Sequence, residues 1–240
     1  MNNSKYPVSQ ALAYFKNVLS AGEFEEAINS KQSFQKVKIK DSCFMNLEDI
    51  VQREPYIFTQ NLKKELFWLL YNIKNDSENI NQFLNYKNEF ESLFLLCKYN
   101  EANKILEVAR SNFGENLWTI EMTLMLKEHE FGTKVNWAEL SNLLTKLQFP
   151  FYHFFINFYS KRIEENMSFE NCISQFQIDF DGVEGDSIVK DFLVFKSLYN
   201  AASYDYSYES LEGVLFLSNL FSSIDQYLII ADVLVVVLKM

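Results

Sequence analysis

Three prolines and six glycines are spread through 240 residues. This scarcity of chain breakers constrains the fold more than any other feature. Average usage is about 5% Pro and about 7% Gly. Tight turns draw heavily on both residues, so a sheet protein built from many hairpins is excluded. A glycine-rich loop cradling a phosphate is excluded for the same reason. Between the breakers, apolar residues recur at three- and four-residue spacing, which predicts amphipathic helices. The expected fold class is all-α, with about a dozen helices packed as an irregular antiparallel array of helical hairpins. One domain over residues 1–240 is expected, with any subdivision near residues 180–186.

Local capping and breaking residues give these helices their ends. Pro7 and Ser9 precede Gln10 to Leu19, and Gly22 is expected to stop that helix as a left-handed cap. A short helix follows from Glu23. Phe34 to Lys40 alternates apolar with polar and reads as a short strand or an extended connection. A helix from Leu47 ends before Pro55, since the residue preceding proline avoids the α region. Thr59 is placed to cap the next helix, and Asp76-Ser77 to break and recap the chain. Helices are then expected over 80–96, 101–113 and 117–130, closed by Gly114 and Gly132. Asn136 to Glu139 reads as a capping box opening a helix to Leu147, and Pro150 as a stop. Phe151 to Tyr159 is apolar almost all round, as a buried helix is. Ser168 caps a helix toward Ile178. Further helices are expected over 187–202, 208–221 and from Asp225 to the C-terminus. Val233 to Leu238 is rich in valine, so a terminal strand is the rival there.

Charge and cysteine usage narrow the function classes. The formal charge is −10 and the sequence pI about 4.8. Nucleic-acid binding needs clustered Lys and Arg to release counterions. The only basic run is Lys36-Val37-Lys38-Ile39-Lys40, so no nucleic-acid partner is expected. Cys43, Cys97 and Cys172 are far apart and have no CxxC spacing, which reads as free thiols in a reducing compartment. The first residues are polar, without the apolar core of a signal peptide. The longest apolar run, Leu228 to Leu238, is interrupted by Asp232 and is short of the about 20 residues of a membrane span. A soluble, cytoplasmic protein with no membrane partner is expected.

One stretch carries a resemblance. Tyr99-Asn100-Glu101-Ala102, followed by Ile105, Leu106 and Ala109, resembles the second helix of a tetratricopeptide repeat. Phe90, Leu93, Phe94 and Cys97 would belong to the first helix, and Leu117 to Leu126 would start the next unit. In that family a small residue opens the second helix where it packs on the first, a place Ala102 would fill. Ala109 would be the small residue facing the next repeat. Ala21 to Ala27 repeats the turn, aromatic, acid and alanine pattern, with Ala27 in the small position. Ala27 and Ala102 lie 75 positions apart, where two 34-residue repeats give about 68. The resemblance spans about half the chain. It departs from the family at some aromatic and glycine positions of the first helix. It implies a scaffold that binds another protein or a peptide, and no cofactor.

No catalytic constellation is readable. His129 lies between two glutamates at the end of a helix, where its cation would suit the macrodipole. It lacks the clustered partners of a metal ligand. His153, among aromatics, reads as a core histidine. Asp179, Asp181, Glu184 and Asp186 could offer oxygens to a hard cation, but the spacing fails the EF-hand template. The loop reads as solvated, with Asp186 capping the next helix. No metal or cofactor is expected, and no enzyme. Tyr199, Tyr204, Tyr206 and Tyr208 cluster with acids and are interaction candidates, because tyrosine gives contact area with a polar tip. Leu228 and Leu234 mark an apolar C-terminal helix that needs a cover. The cover is either the domain's own core or another chain, including a second copy. Two functions follow: a tetratricopeptide-like interaction module or adaptor, or an acidic accessory or immunity-type protein that inhibits a basic partner such as a toxin or nuclease.

Overall fold

The computed structural model describes residues 18–29, 61–146, 150–182, 187–198, 206–219 and 221–239. Among them the chain is all-helical, in eleven α-helices with no strand. These are α1 (Ala21–Asn29), α2 (Leu62–Asn75), α3 (Ser77–Leu95), α4 (Tyr99–Phe113), α5 (Leu117–Phe131) and α6 (Thr133–Lys146). They continue with α7 (Pro150–Arg162), α8 (Phe169–Asp181), α9 (Ser187–Leu198), α10 (Tyr208–Ser218) and α11 (Ser223–Val237). This is the all-α array of packed hairpins read from the spacing of apolar residues. The expected strand at Phe34 to Lys40 and the helix before Pro55 lie outside the described residues. So do residues 10–17 and Cys43.

Side-chain caps set most of the helix starts. Asn61, Asn116, Ser168, Ser207 and Ser222 each accept a hydrogen bond from the backbone N–H three residues on. That bond satisfies one of the donors a helix leaves open at its N-terminus. Gly114 and Gly132 end α4 and α5 with positive φ, of 74° and 81°. Three local expectations are corrected. Gly22 does not end a helix: it sits in the first turn of α1, and the Ser20 hydroxyl and Glu23 carboxylate close a capping box around that turn. Asn61, not Thr59, caps α2. Asn136 is not a cap but lies inside α6, fully buried, with its amide donating to Ser160 Oγ at 3.0 Å. The capping box is formed instead by Asn116 and Thr119. The stop expected at Pro150 agrees with α6 ending at Lys146, and Pro150 itself opens α7, where its missing N–H costs nothing. The valine-rich end of the chain is helical through Val237, its apolar positions packing at helical spacing, and no strand occurs among the described residues.

Two apolar clusters share α5 as their common wall. The first joins Phe83 and Phe90 of α3, Ala102, Leu106 and Ala109 of α4, Trp118, Met122 and Leu126 of α5, and Ile224 of α11. Trp118 meets Phe83 and Phe90 edge-on, with ring centroids 5.2 and 5.3 Å away. Ala102 and Ala109 are fully buried, and their small side chains let α4 lie close to its neighbours. The second cluster runs from Leu117, Ile120 and Leu124 of α5 through Phe155, Phe176, Phe192, Phe195 and Val214 to Val233. It includes residues on both sides of 180–186. Because α5 supplies both clusters, it is apolar on opposite faces, which is why its sequence shows little amphipathic bias.

The last two helices also reach back to the first ones. Asn219, just after α10, donates to Glu65 Oε2 of α2 at 3.3 Å. The Ser223 hydroxyl bonds Asp76 between α2 and α3. Leu117 N–H, at the start of α5, donates to Asp225 Oδ1 at 3.0 Å. Asp225 is fully buried, and Ser222 Oγ donates to its other oxygen at 3.0 Å. One carboxylate therefore ties the N-termini of α5 and α11 together, where the positive ends of both helix dipoles favour it. Burial outweighs these hydrogen bonds and pushes its pKa from the ordinary 3.8 up to about 6.

Candidate functional site

The second half of the array holds an acid-lined groove of about 380 Å³ between α9 and α10. It is lined by Asp191 on α9 and by Ser207, Glu209, Ser210, Glu212, Gly213 and Phe216 at the start and along one face of α10. The helical repeat explains the lining. Positions 209, 212, 213 and 216 fall on one stripe of α10, while Leu211, Val214 and Leu217 turn the opposite stripe into the core. Ser207 fixes the start of the helix, its hydroxyl accepting from Ser210 N–H at 3.1 Å. The hairpin is pinned by Phe195 against Tyr206, with ring centroids 5.5 Å apart.

The three carboxylates are not alike. Glu209 sits in the first turn, and hydrogen bonds from its own backbone N–H and then from the Ser207 hydroxyl hold its carboxyl below the usual range. Burial pushes Asp191 up. None of the described lining residues is basic. A cationic group in the groove would meet carboxylates from both walls, with serine hydroxyls free to accept further hydrogen bonds. The same lining has no histidine or cysteine. Among the described residues no group of three or more His, Cys, Asp or Glu is arranged to hold a metal ion.

The residues singled out from the sequence are dispersed. Tyr199 and Tyr204 lie outside the described residues. Tyr206 is buried against Phe195, so it is a packing residue and not an exposed contact; the turn into α10 points it inward. Tyr208 is 67% exposed, next to Ser207 and Glu209 of the groove. Leu228 is half-buried against the first cluster, while Leu234 is 55% exposed near the end of α11. Ala27 lies on α1, but its side chain is outside the described residues. His129 is exposed in the last turn of α5, its ring edge-on to Phe94 at 5.3 Å. His153 is half-buried. Asp179 and Asp181 belong to α8 rather than to a loop. Asp179 already accepts from Lys161 Nζ at 3.0 Å and Gln175 Nε2 at 2.8 Å. Val183 to Asp186 lie outside the described residues.

The groove residues Asp191 and Glu212 were not singled out in the sequence. Glu209 and Glu212 show there only as an acid pair three apart after a serine cap. Asp191 reaches them through the α9–α10 packing alone. Compared with known proteins, the chain matches no family model, no curated protein and no solved structure. No helix among the described residues is long and apolar enough to cross a membrane.

Proposed function

We propose that the chain is a non-enzymatic protein-interaction module, an adaptor of tetratricopeptide-like kind. It takes a Lys- or Arg-bearing segment of another protein into the α9–α10 groove. The observation that carries this is the groove's lining: Asp191, Glu209 and Glu212 with two serines and no basic residue. Tyr208 beside it offers an exposed ring over which a cation or an apolar side chain can lie. A Lys/Arg-rich peptide of about a dozen residues, with a fluorophore at one end, is the probe. Titrated against the full chain, it should bind wild type at least about tenfold tighter than Glu212→Lys, as expected for losing a charge partner at a contact. Charge reversal at exposed Glu78, on α3, should change the affinity far less. Equal losses at both positions would mean diffuse attraction to an acidic protein and would defeat the groove reading.

The net charge of −10 favours a second reading, an acidic inhibitor that covers a basic surface on a toxin or nuclease. Long-range steering by such a charge speeds association and is screened by salt. A basic-partner inhibitor loses association rate steeply as salt rises. An adaptor whose groove reads one segment loses affinity chiefly through faster dissociation.

A further inference from the structure

Side-chain contacts across α3 to α8 gather three of the helix connections at one end of the array. The pairs Tyr86–Phe113 and Phe94–Tyr99 fix α3 against α4. Arg110 to Thr123 fixes α4 against α5. Asn136 to Ser160 and Trp137 to Glu164 fix α6 against α7. One end holds the α3–α4 turn, the α5–α6 turn and the α7–α8 connection. Phe94 against His129 joins the first of these to the second. The Trp137 indole N–H, donating to Glu164 at 2.9 Å, joins the second to the third.

That end carries an uneven share of exposed apolar side chains. Leu95 is 81% exposed and Leu96 66%, followed by Phe131, Val135, Trp137 and Phe169. Among the other described residues of α3 to α8, only Val108 and Ile178 are exposed large hydrophobics. Charges around the apolar end nearly balance. Lys98, Lys127, Lys134, Lys161 and Arg162 stand with Glu101, Glu128, Glu130, Glu164, Glu165 and Glu170 in and beside these turns, although the whole chain carries −10.

We propose that this end is a self-association surface, through which two copies of the chain pair end to end about a two-fold axis. Area decides between this surface and the apolar end of α11. At about 200 Å² for a fully exposed aromatic side chain and about 100 Å² for Leu or Val, the six residues offer roughly 500 Å² of apolar surface. A standard interface takes about 800 Å² from each partner, and a homodimer draws about 65% of it, or about 500 Å², from apolar atoms. The end of α11, with Leu234, Val235, Val237 and Leu238, offers roughly 200 Å² on the same basis and falls short. Composition points the same way. The hairpin end presents Trp and Phe, which anchor interfaces, whereas Leu and Val, all that α11 shows there, are under-represented among energetic anchors. The near balance of charge matters too: mixed signs on one surface can meet their opposites across a two-fold axis. The pairing uses none of the residues that line the α9–α10 groove and does not depend on what that groove binds.

The test is sedimentation velocity of the full chain over a wide concentration series, with four measurements. Wild type should shift from monomer to dimer with rising concentration. Leu96→Lys and Trp137→Ala should each raise the dissociation constant at least about tenfold, as truncation of an interface anchor does. Leu238→Lys, on α11, should leave it within about twofold. Added salt should tighten the wild-type dimer, because it screens repulsion between two chains of −10 while the apolar contact persists. Cys97 is exposed at the α3–α4 turn, so its alkylation rate in wild type should fall as the dimer forms, which requires no variant to fold. A chain that stays monomeric throughout overturns the proposal. So does a dimer lost on Leu238→Lys but kept on Leu96→Lys and Trp137→Ala, or one whose formation leaves Cys97 alkylation unchanged.

Discussion

Replacing Asp225 with Asn should remove a pH dependence that this one carboxyl imposes on the whole fold. The group is fully buried, so no solvent screening discounts its shift, and burial raises its pKa from 3.8 to about 6. The folded chain then holds a proton that the unfolded chain releases between about pH 4 and pH 6. Stability falls with rising pH wherever the folded state binds more protons. The contribution of Asp225 is therefore fully present below about pH 4 and is lost as pH rises through about 6. At 1.36 kcal/mol per pKa unit the loss is about 3 kcal/mol. The Ser222 and Leu117 hydrogen bonds and the Lys196 charge oppose the shift and are already contained in it. Asn keeps an oxygen for the Leu117 N–H and cannot ionise. Urea unfolding of wild type and Asp225→Asn at several pH values from 4 to 7 measures the effect. The difference between the two proteins cancels every other titrating group. Wild type should lose about 3 kcal/mol relative to the variant across that window. A difference independent of pH, or one of opposite slope, would refute burial as the dominant cause.

Other outcomes follow from single positions. Cys97 ends α3 with φ of 55°, its N–H bonding Phe94 O and the next N–H bonding Leu93 O, a Schellman turn that favours glycine. Cys97→Gly should relieve about 1 kcal/mol of left-handed strain and raise the thermal midpoint; a lower midpoint would count against strain at this turn. Ala102, on α4, is fully buried in the cluster with α3 and α5, so Ala102→Leu should overpack the site and cost about 1–3 kcal/mol in urea unfolding. Ser222→Ala removes a donor to Asp225 and the cap on α11 together. It should destabilise by about 1–2 kcal/mol near neutral pH, where the carboxylate is ionised, and by less at pH 4, a contrast the same urea series reads directly.

The amino-acid order alone determined the class of fold. Few Gly and Pro, with apolar residues at three- and four-residue spacing, leave helices as the accessible local structure, and serine and asparagine caps mark several starts. Those signals act within one turn of helix, so they survive without tertiary context. Local rules misled where a residue's role is set by what lies across from it. Asn136 resembles a cap, yet α6 begins earlier and turns the amide inward to Ser160. Tyr206 resembles a surface aromatic, yet the α9–α10 turn folds it onto Phe195. The buried Asp225, more than 100 residues from its Leu117 partner, the meeting of Asp191 with Glu209 and Glu212, and the gathering of exposed apolar residues at one end of the hairpins were decided only by tertiary packing. Each depends on distances between helices, and side-chain spacing along one helix carries no information about the helix that will face it.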